Sequence, residues 1–152
     1  MKLKWTLLLG ALLPFALTAV EIEAENGTVT EPTRIAAREA ASGGKTVLFC
    51  ASARGVKKPE ADVTADLVLK VKLDQEAIYK VTAFVYTPNT SSDSFYVDIN
   101  NTGIRDKHCG FPKAGAPIVL YNGKLPAGEQ TIRFWSREPN LEIDKVTIEK
   151  SK

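Results

Sequence analysis

Beyond about residue 20 the hydrophobic residues of this chain alternate with polar ones, and no segment sustains the 3.6-residue apolar spacing of an amphipathic helix. From Asp66 to Leu73, Leu67, Leu69, Val71 and Leu73 share one face while Lys70 and Lys72 point the other way, the pattern of a half-buried strand. Tyr79, Val81, Ala83 and Val85 repeat it, as do Phe95, Val97 and Ile99 against Tyr96, Asp98 and Asn100, and Ile132 and Phe134 against Arg133 and Trp135. Shorter strands are predicted near Glu21 to Glu25, Lys45 to Cys50, Pro117 to Tyr121 and Glu142 to Glu149. Between them stand turn signals: Asp74-Gln75-Glu76, Pro88-Asn89, Asn122-Gly123, Pro126-Ala127-Gly128 and Pro139-Asn140. Thr33 to Ala41 is Ala-rich and compatible with a turn or two of helix, but strand followed by loop suits it better. Short strands and turns in this rhythm predict an all-β sandwich or jelly roll.

The first residues break the rhythm. Lys2 and Lys4 precede an apolar run from Trp5 to about Ala16, closed by the small residues Ala16, Thr18 and Ala19, the order of a secretory signal peptide. The run is too short, and too broken by Pro14, for the ~20 apolar residues of a membrane span. The expected organisation is therefore a signal peptide over 1–19 and one domain over 20–152, secreted or periplasmic and free of the membrane after cleavage. Export also bears on the two cysteines. In an oxidising compartment Cys50 and Cys109 are expected to form one disulfide, worth roughly 4 kcal/mol for a loop of about 60 residues; two buried free thiols are the alternative.

Composition narrows the function further. Of 20 basic and 18 acidic residues, the expected signal peptide removes two lysines and no acid, leaving 18 against 18. A neutral chain with interspersed charges has no basic stripe for nucleic acid. The lone His108 excludes multi-histidine zinc or iron sites, and it reads as a loop residue. No pair of acids stands out in the opposed environments that glycoside hydrolysis needs. Sequons at Asn26, Asn89 and Asn100 matter only in a eukaryotic source.

Carboxylates mark both ends of the domain. Strand alternation places Glu23 and Glu25 on one face, about 7 Å apart. Asp144 is in phase with Val146 and Ile148, so it turns inward, where a carboxylate is costly unless paired or metal-bound. If the first and last strands are neighbours, the three converge on one hard cation, with calcium favoured by oxygen-only ligands. Exposed edge acids paired with Lys145 or Arg34 are the alternative.

The order of features resembles carbohydrate-binding modules of families 6 and 35, galactose-binding-like jelly rolls, over nearly all of residues 21–149. It runs from Glu23-Ala24-Glu25 through Ala41-Ser42-Gly43-Gly44-Lys45-Thr46-Val47, the paired strands around Val71 and Tyr79-Lys80-Val81, and Asp98-Ile99-Asn100. It ends in Leu125-Pro126-Ala127-Gly128-Glu129-Gln130-Thr131-Ile132 and Ile143-Asp144-Lys145-Val146. The resemblance implies a jelly-roll sandwich of about nine strands. It also implies a structural calcium held by Glu23, Glu25, Asp144 and backbone carbonyls of the Ser42 to Lys45 loop, and non-catalytic binding of poly- or oligosaccharide through loops at one end.

A pyranose stacks its C–H face on aromatic rings and directs its hydroxyls to polar side chains. Counting strand reversals, with an extra short strand near Gly103 to Lys107, gathers at one end the loops after Cys50 and Tyr86, the Cys109 to Gly115 loop and the Ser136 to Leu141 loop. The candidates there are Phe111, Trp135, Asn140 and Tyr86, with Arg105, Asp106 and Arg137 as secondary polar groups. The resemblance makes Asn140 a sugar contact and Phe111 the stacking platform. The chain departs from the family pattern in having Phe where Trp is common, and Lys45-Thr46 where a second aromatic often follows the glycine pair. Against these readings, Trp135 has the alternative of packing onto Arg133, and Tyr86 and Phe111 that of ordinary rim aromatics. The expected protein is a secreted, calcium-stabilised carbohydrate-binding protein that is not an enzyme, acting beside secreted glycan-degrading enzymes or at a cell surface. A structural or adhesive sandwich without a working sugar cleft is the rival expectation.

Overall fold

The computed structural model describes residues 19–50 and 57–151, so the expected signal peptide lies, but for Ala19, outside the described residues. Eleven strands appear among them: β1 (Val20–Glu23), β2 (Thr28–Val29), β3 (Arg34–Ala37), β4 (Lys45–Leu48), β5 (Leu67–Leu73), β6 (Ala77–Thr87), β7 (Ser94–Ile99), β8 (Arg105–His108), β9 (Lys113–Leu125), β10 (Gly128–Ser136) and β11 (Glu142–Lys150). Two 3₁₀ turns, Ala24–Asn26 and Ser42–Gly44, are the helical pieces of the described residues. One sheet has the order β3-β4-β11-β6-β9, with β1 also on β11; the other has the order β2-β5-β10-β7-β8. All described pairings are antiparallel.

The alternation of the sequence is the alternation of the sheets. Leu67, Leu69, Val71 and Leu73 of β5 face Val81, Ala83 and Val85 of β6 across a core that Phe95, Val97, Ile99, Ile132 and Phe134 complete. The Phe95 and Phe134 rings pack 5.8 Å apart at a tilt of 43°, a geometry aromatic pairs favour. The first and last strands are neighbours, as expected: Val20 pairs with Ile148 and Glu23 with Lys145. The Thr33 to Ala41 stretch is strand and then loop, and the extra reversal is β8.

Three local features differ from the pattern. Asn122-Gly123 is no turn: β9 runs through it in register with β6, and the turn falls after Leu125. Glu25 is not on a strand, because β1 ends at Glu23 and the chain crosses to the second sheet through the first 3₁₀ turn. Asp144 does not lie on a regular stretch of β11. It is the extra residue of a bulge, for Ile143 pairs with Val85 and Lys145 already with Phe84. A bulge shifts side-chain phase by one, which lets Ile143 before it and Val146 and Ile148 after it all lie in the core, with Asp144 itself buried.

Candidate functional site

Two regions carry the functional residues. The first is a seam along β11. β4 pairs with Glu142 and Ile143, β1 with Lys145 onward, so the two half-strands meet end to end opposite the bulged Asp144. The two 3₁₀ turns flank that gap. In the second, Gly43 adopts φ 63°, a left-handed conformation that suits glycine. The loop also comes close to two carboxylates: a Cβ at Gly43 would lie 2.8 Å from Glu25 Oε1 and 4.0 Å from Glu23 Oε2. The Ser42 N–H donates to Asp144 Oδ1 at 3.0 Å and the Ser42 hydroxyl to Glu23 Oε1 at 2.6 Å. Glu23, Glu25 and Asp144 thus all approach one short loop.

The electrostatics of this seam are unbalanced. Glu23 Oε2 and Glu25 Oε2 are buried without a hydrogen-bond partner among the described residues, a costly condition for carboxylates. Burial, and then the Glu23 and Glu25 charges, hold the Asp144 carboxyl above its ordinary range despite the Ser42 N–H and Lys145. Lys145 serves Glu21 instead, at 2.9 Å. As the side chains stand, no group of three or more His, Cys, Asp or Glu among the described residues is gathered closely enough to hold a metal ion. The donor set itself, all oxygen with two buried oxygens unpartnered, fits a hard cation of the calcium type.

The second region is the loop end. The four expected loops do meet there. Phe49 N–H donates to Leu141 O (2.9 Å), Ser136 N–H to Asp66 Oδ2 (2.6 Å) and Cys109 N–H to Asp93 O (2.8 Å), while Thr87 Oγ1 donates to Phe111 O (3.2 Å). Phe111 is 73% exposed, yet its backbone is pinned by Thr87 and by the Gly110 N–H to Asp93 Oδ2 bond of 2.9 Å. Asn140 sits at φ 67° with its N–H on Phe49 O at 2.6 Å, and its exposed side chain has no partner among the described residues. Glu138 accepts the Asp93 N–H at 2.9 Å. Burial raises its pKa, but hydrogen bonds from Ser94 and the Asp93 N–H, with the Arg137 charge, bring it below the ordinary glutamate value. Asp106 and Arg137 gather with His108: Arg137 Nη1 lies 2.7 Å from His108 Nε2 and 3.0 Å from Ser94 Oγ, and Asp106 Oδ2 is 3.2 Å from the same imidazole nitrogen.

Three expected ligand residues belong elsewhere. Trp135 is fully buried on the outer side of its sheet, packed with Tyr96 and Ala65, and its Nε1–H donates to Val63 O at 3.0 Å. Alternation does turn it outward; the Val63 to Ala65 segment covers it. Tyr86 is buried, its hydroxyl donating to Ala40 O at 2.8 Å with the Arg38 guanidinium 4.4 Å over its ring. Arg105 starts β8 at the opposite end, bonded to Thr102 Oγ1 and Gly103 O and lying 5.2 Å from the Tyr121 ring. The expected disulfide is absent too: Cys50 and Cys109 are free thiols. Cys109 is turned into the core, where burial and then the nearby Asp93 charge push its thiol up to about 11, and the Cys50 thiol points back to Leu48 O at 3.6 Å. Sequence reading missed Arg38, Thr46 and Glu142, whose buried contacts cross some hundred residues of chain.

No family model matches the sequence, and no curated protein does. Solved structures match over most of the chain. The family 35 carbohydrate-binding module from Clostridium thermocellum superposes with a TM-score of 0.60 at 20% identity, covering 86% of this chain and 98% of that one. The chain has the jelly-roll fold of family 6 and family 35 modules. The C-terminal family 6 module of a marine laminarinase from Zobellia galactanivorans gives 0.60 at 13%, over 88% and 100% of the two chains. A GH26-CBM35 β-(1,4)-mannanase from Podospora anserina gives 0.69 at 17%, and there this chain spans only 28% of the enzyme.

Proposed function

We propose that the protein is a non-catalytic carbohydrate-binding protein that takes poly- or oligosaccharide at the loop end, with Phe111 as the stacking face and Asn140 as a hydroxyl partner. The observation that carries this reading is Phe111 itself. It is the one exposed aromatic ring among the described residues, held on a loop whose backbone is fixed beneath it, on a fold whose chain-length neighbours are carbohydrate-binding modules. A rigid exposed ring offers a sugar its apolar face at little entropic cost. A near-neutral domain suits an uncharged glycan, and the N-terminal pattern suits work outside the cytoplasm. Screening the protein against a glycan array, with Phe111→Ala and Asn140→Ala beside it, tests the reading. Binding that Phe111→Ala abolishes supports it, and no binding to any glycan in calcium-containing buffer overturns it.

The same proposal places a structural calcium at the seam, held by Glu23, Glu25 and Asp144 with backbone oxygen from the Ser42–Gly44 turn. The two unpartnered buried carboxylate oxygens support it. Its role is to neutralise the three acids and tie β1, β4 and β11 together. A second reading, a structural or adhesive sandwich without a sugar cleft, is favoured by one observation: Trp135 and Tyr86 are committed to packing, leaving a single platform.

A further inference from the structure

We propose that Arg38 and Glu142 form a strut that positions the 40–44 loop for the cation, with Tyr86 as its second anchor; this rests on the calcium reading of the seam. Glu142 is only 8% exposed and belongs to neither the acid cluster nor the loop end. Arg38 Nε donates to its Oε2 at 2.7 Å, Arg38 Nη2 pairs with Oε1, and the Thr46 hydroxyl donates to Oε2 as well.

What this buried pair holds is the root of one small loop. The Arg38 N–H donates to Gly44 O at 2.9 Å, Ala41 N–H to Arg38 O at 3.0 Å and Gly44 N–H to Ala41 O at 3.1 Å, closing residues 38–44 into a ring. Arg38 fastens one side of the ring to Glu142. The Tyr86 hydroxyl fastens Ala40 O at 2.8 Å, under the Arg38 guanidinium. Gly115 leaves room for that ring, since a Cβ there would lie 2.9 Å from the Tyr86 oxygen. From the far side of the ring Ser42 reaches Asp144 and Glu23. Glu142 and Asp144 thus stand two residues apart on β11 and hold the root and the tip of the same loop. Groups that orient cation ligands from behind tune affinity as strongly as about 10- to 100-fold.

Calorimetric calcium titration of the wild-type protein, Glu142→Gln, Arg38→Lys and Tyr86→Phe tests the strut, alongside amide hydrogen exchange at Ser42 and Gly44 in calcium-free buffer. The expected result is one calcium bound by the wild type, affinity about tenfold lower in Glu142→Gln and Tyr86→Phe, a smaller loss in Arg38→Lys, and faster exchange of both amides in the weakened variants. Wild-type affinity in every variant overturns the strut and leaves the calcium reading standing. No calcium binding by the wild type overturns both. Should Glu142→Gln fail to fold, Tyr86→Phe, which removes one hydroxyl and keeps the ring, decides.

Discussion

The seam and the loop end both bury carboxylates, and they treat them in opposite ways. At the loop end Asp66, Asp93 and Glu138 each accept a backbone N–H, from Ser136, Gly110 and Asp93 in turn. Those acids are the pins that set the loops, with their charge answered by the backbone. At the seam Glu23 and Glu25 each keep a buried oxygen that nothing among the described residues answers, beside an Asp144 whose ionisation is opposed by burial and then by the Glu23 and Glu25 charges. The difference separates acids that build the structure from acids that await a charge. It also explains how the loop end can hold its backbone in place while, among the described residues, the Phe111 ring and the Asn140 side chain are left without partners.

The contrast breaks most directly at the seam. Calcium at about 100 times its dissociation constant should stabilise the protein by ~2.7 kcal/mol, raising the melting temperature by about 10 °C, and a chelator should reverse it. A melting curve indifferent to both returns the seam acids to the status of surface charges. At the loop end Asp93→Ala should cost about 1–3 kcal/mol by removing the charged acceptor of the Gly110 N–H, by the same amount with or without calcium. A calcium-dependent loss in that variant would merge the two regions into one. A smaller effect is expected from acid. The folded Glu138 has a lowered pKa, so its contribution is intact above about pH 4.5 and fades as pH falls through its folded value, a loss Glu138→Gln should remove from the stability profile. The mildest test is chemical: both thiols of the unfolded protein should react with a thiol reagent near pH 8, and in the native protein Cys109 should lag far behind Cys50.

Much of this was legible in the order of residues. Alternation located β5, β6, β7 and β10, and strand counting brought the four loops to one end, because a strand with one buried face carries its period openly. The acid trio was legible too, although by a route that was only partly correct, since Glu25 lies on a 3₁₀ turn and Asp144 in a bulge. What alternation cannot tell is what covers an outward-facing residue. Trp135 and Tyr86 point away from the core in proper phase and are buried all the same, one beneath Val63 and Ala65, the other beneath Arg38. Arg105 was misplaced because β8 begins at the far end. The cysteines share an end of the fold, but sharing an end does not aim two sulfurs at each other.

The edge strand β9 has a separate bearing on how the protein behaves in company. It is the longest strand, at 13 residues, and among the described residues it pairs only with β6, so its other side carries ladder groups with no strand to meet. A long flat edge of that kind recruits strands from other molecules. Here two register shifts against β6, Pro117 in mid-strand and Lys113 and Lys124 toward the ends interrupt it. Proline removes a donor and each irregularity twists the ribbon away from a flat template. The interruptions therefore guard a sandwich with an open edge against joining its neighbours sheet to sheet.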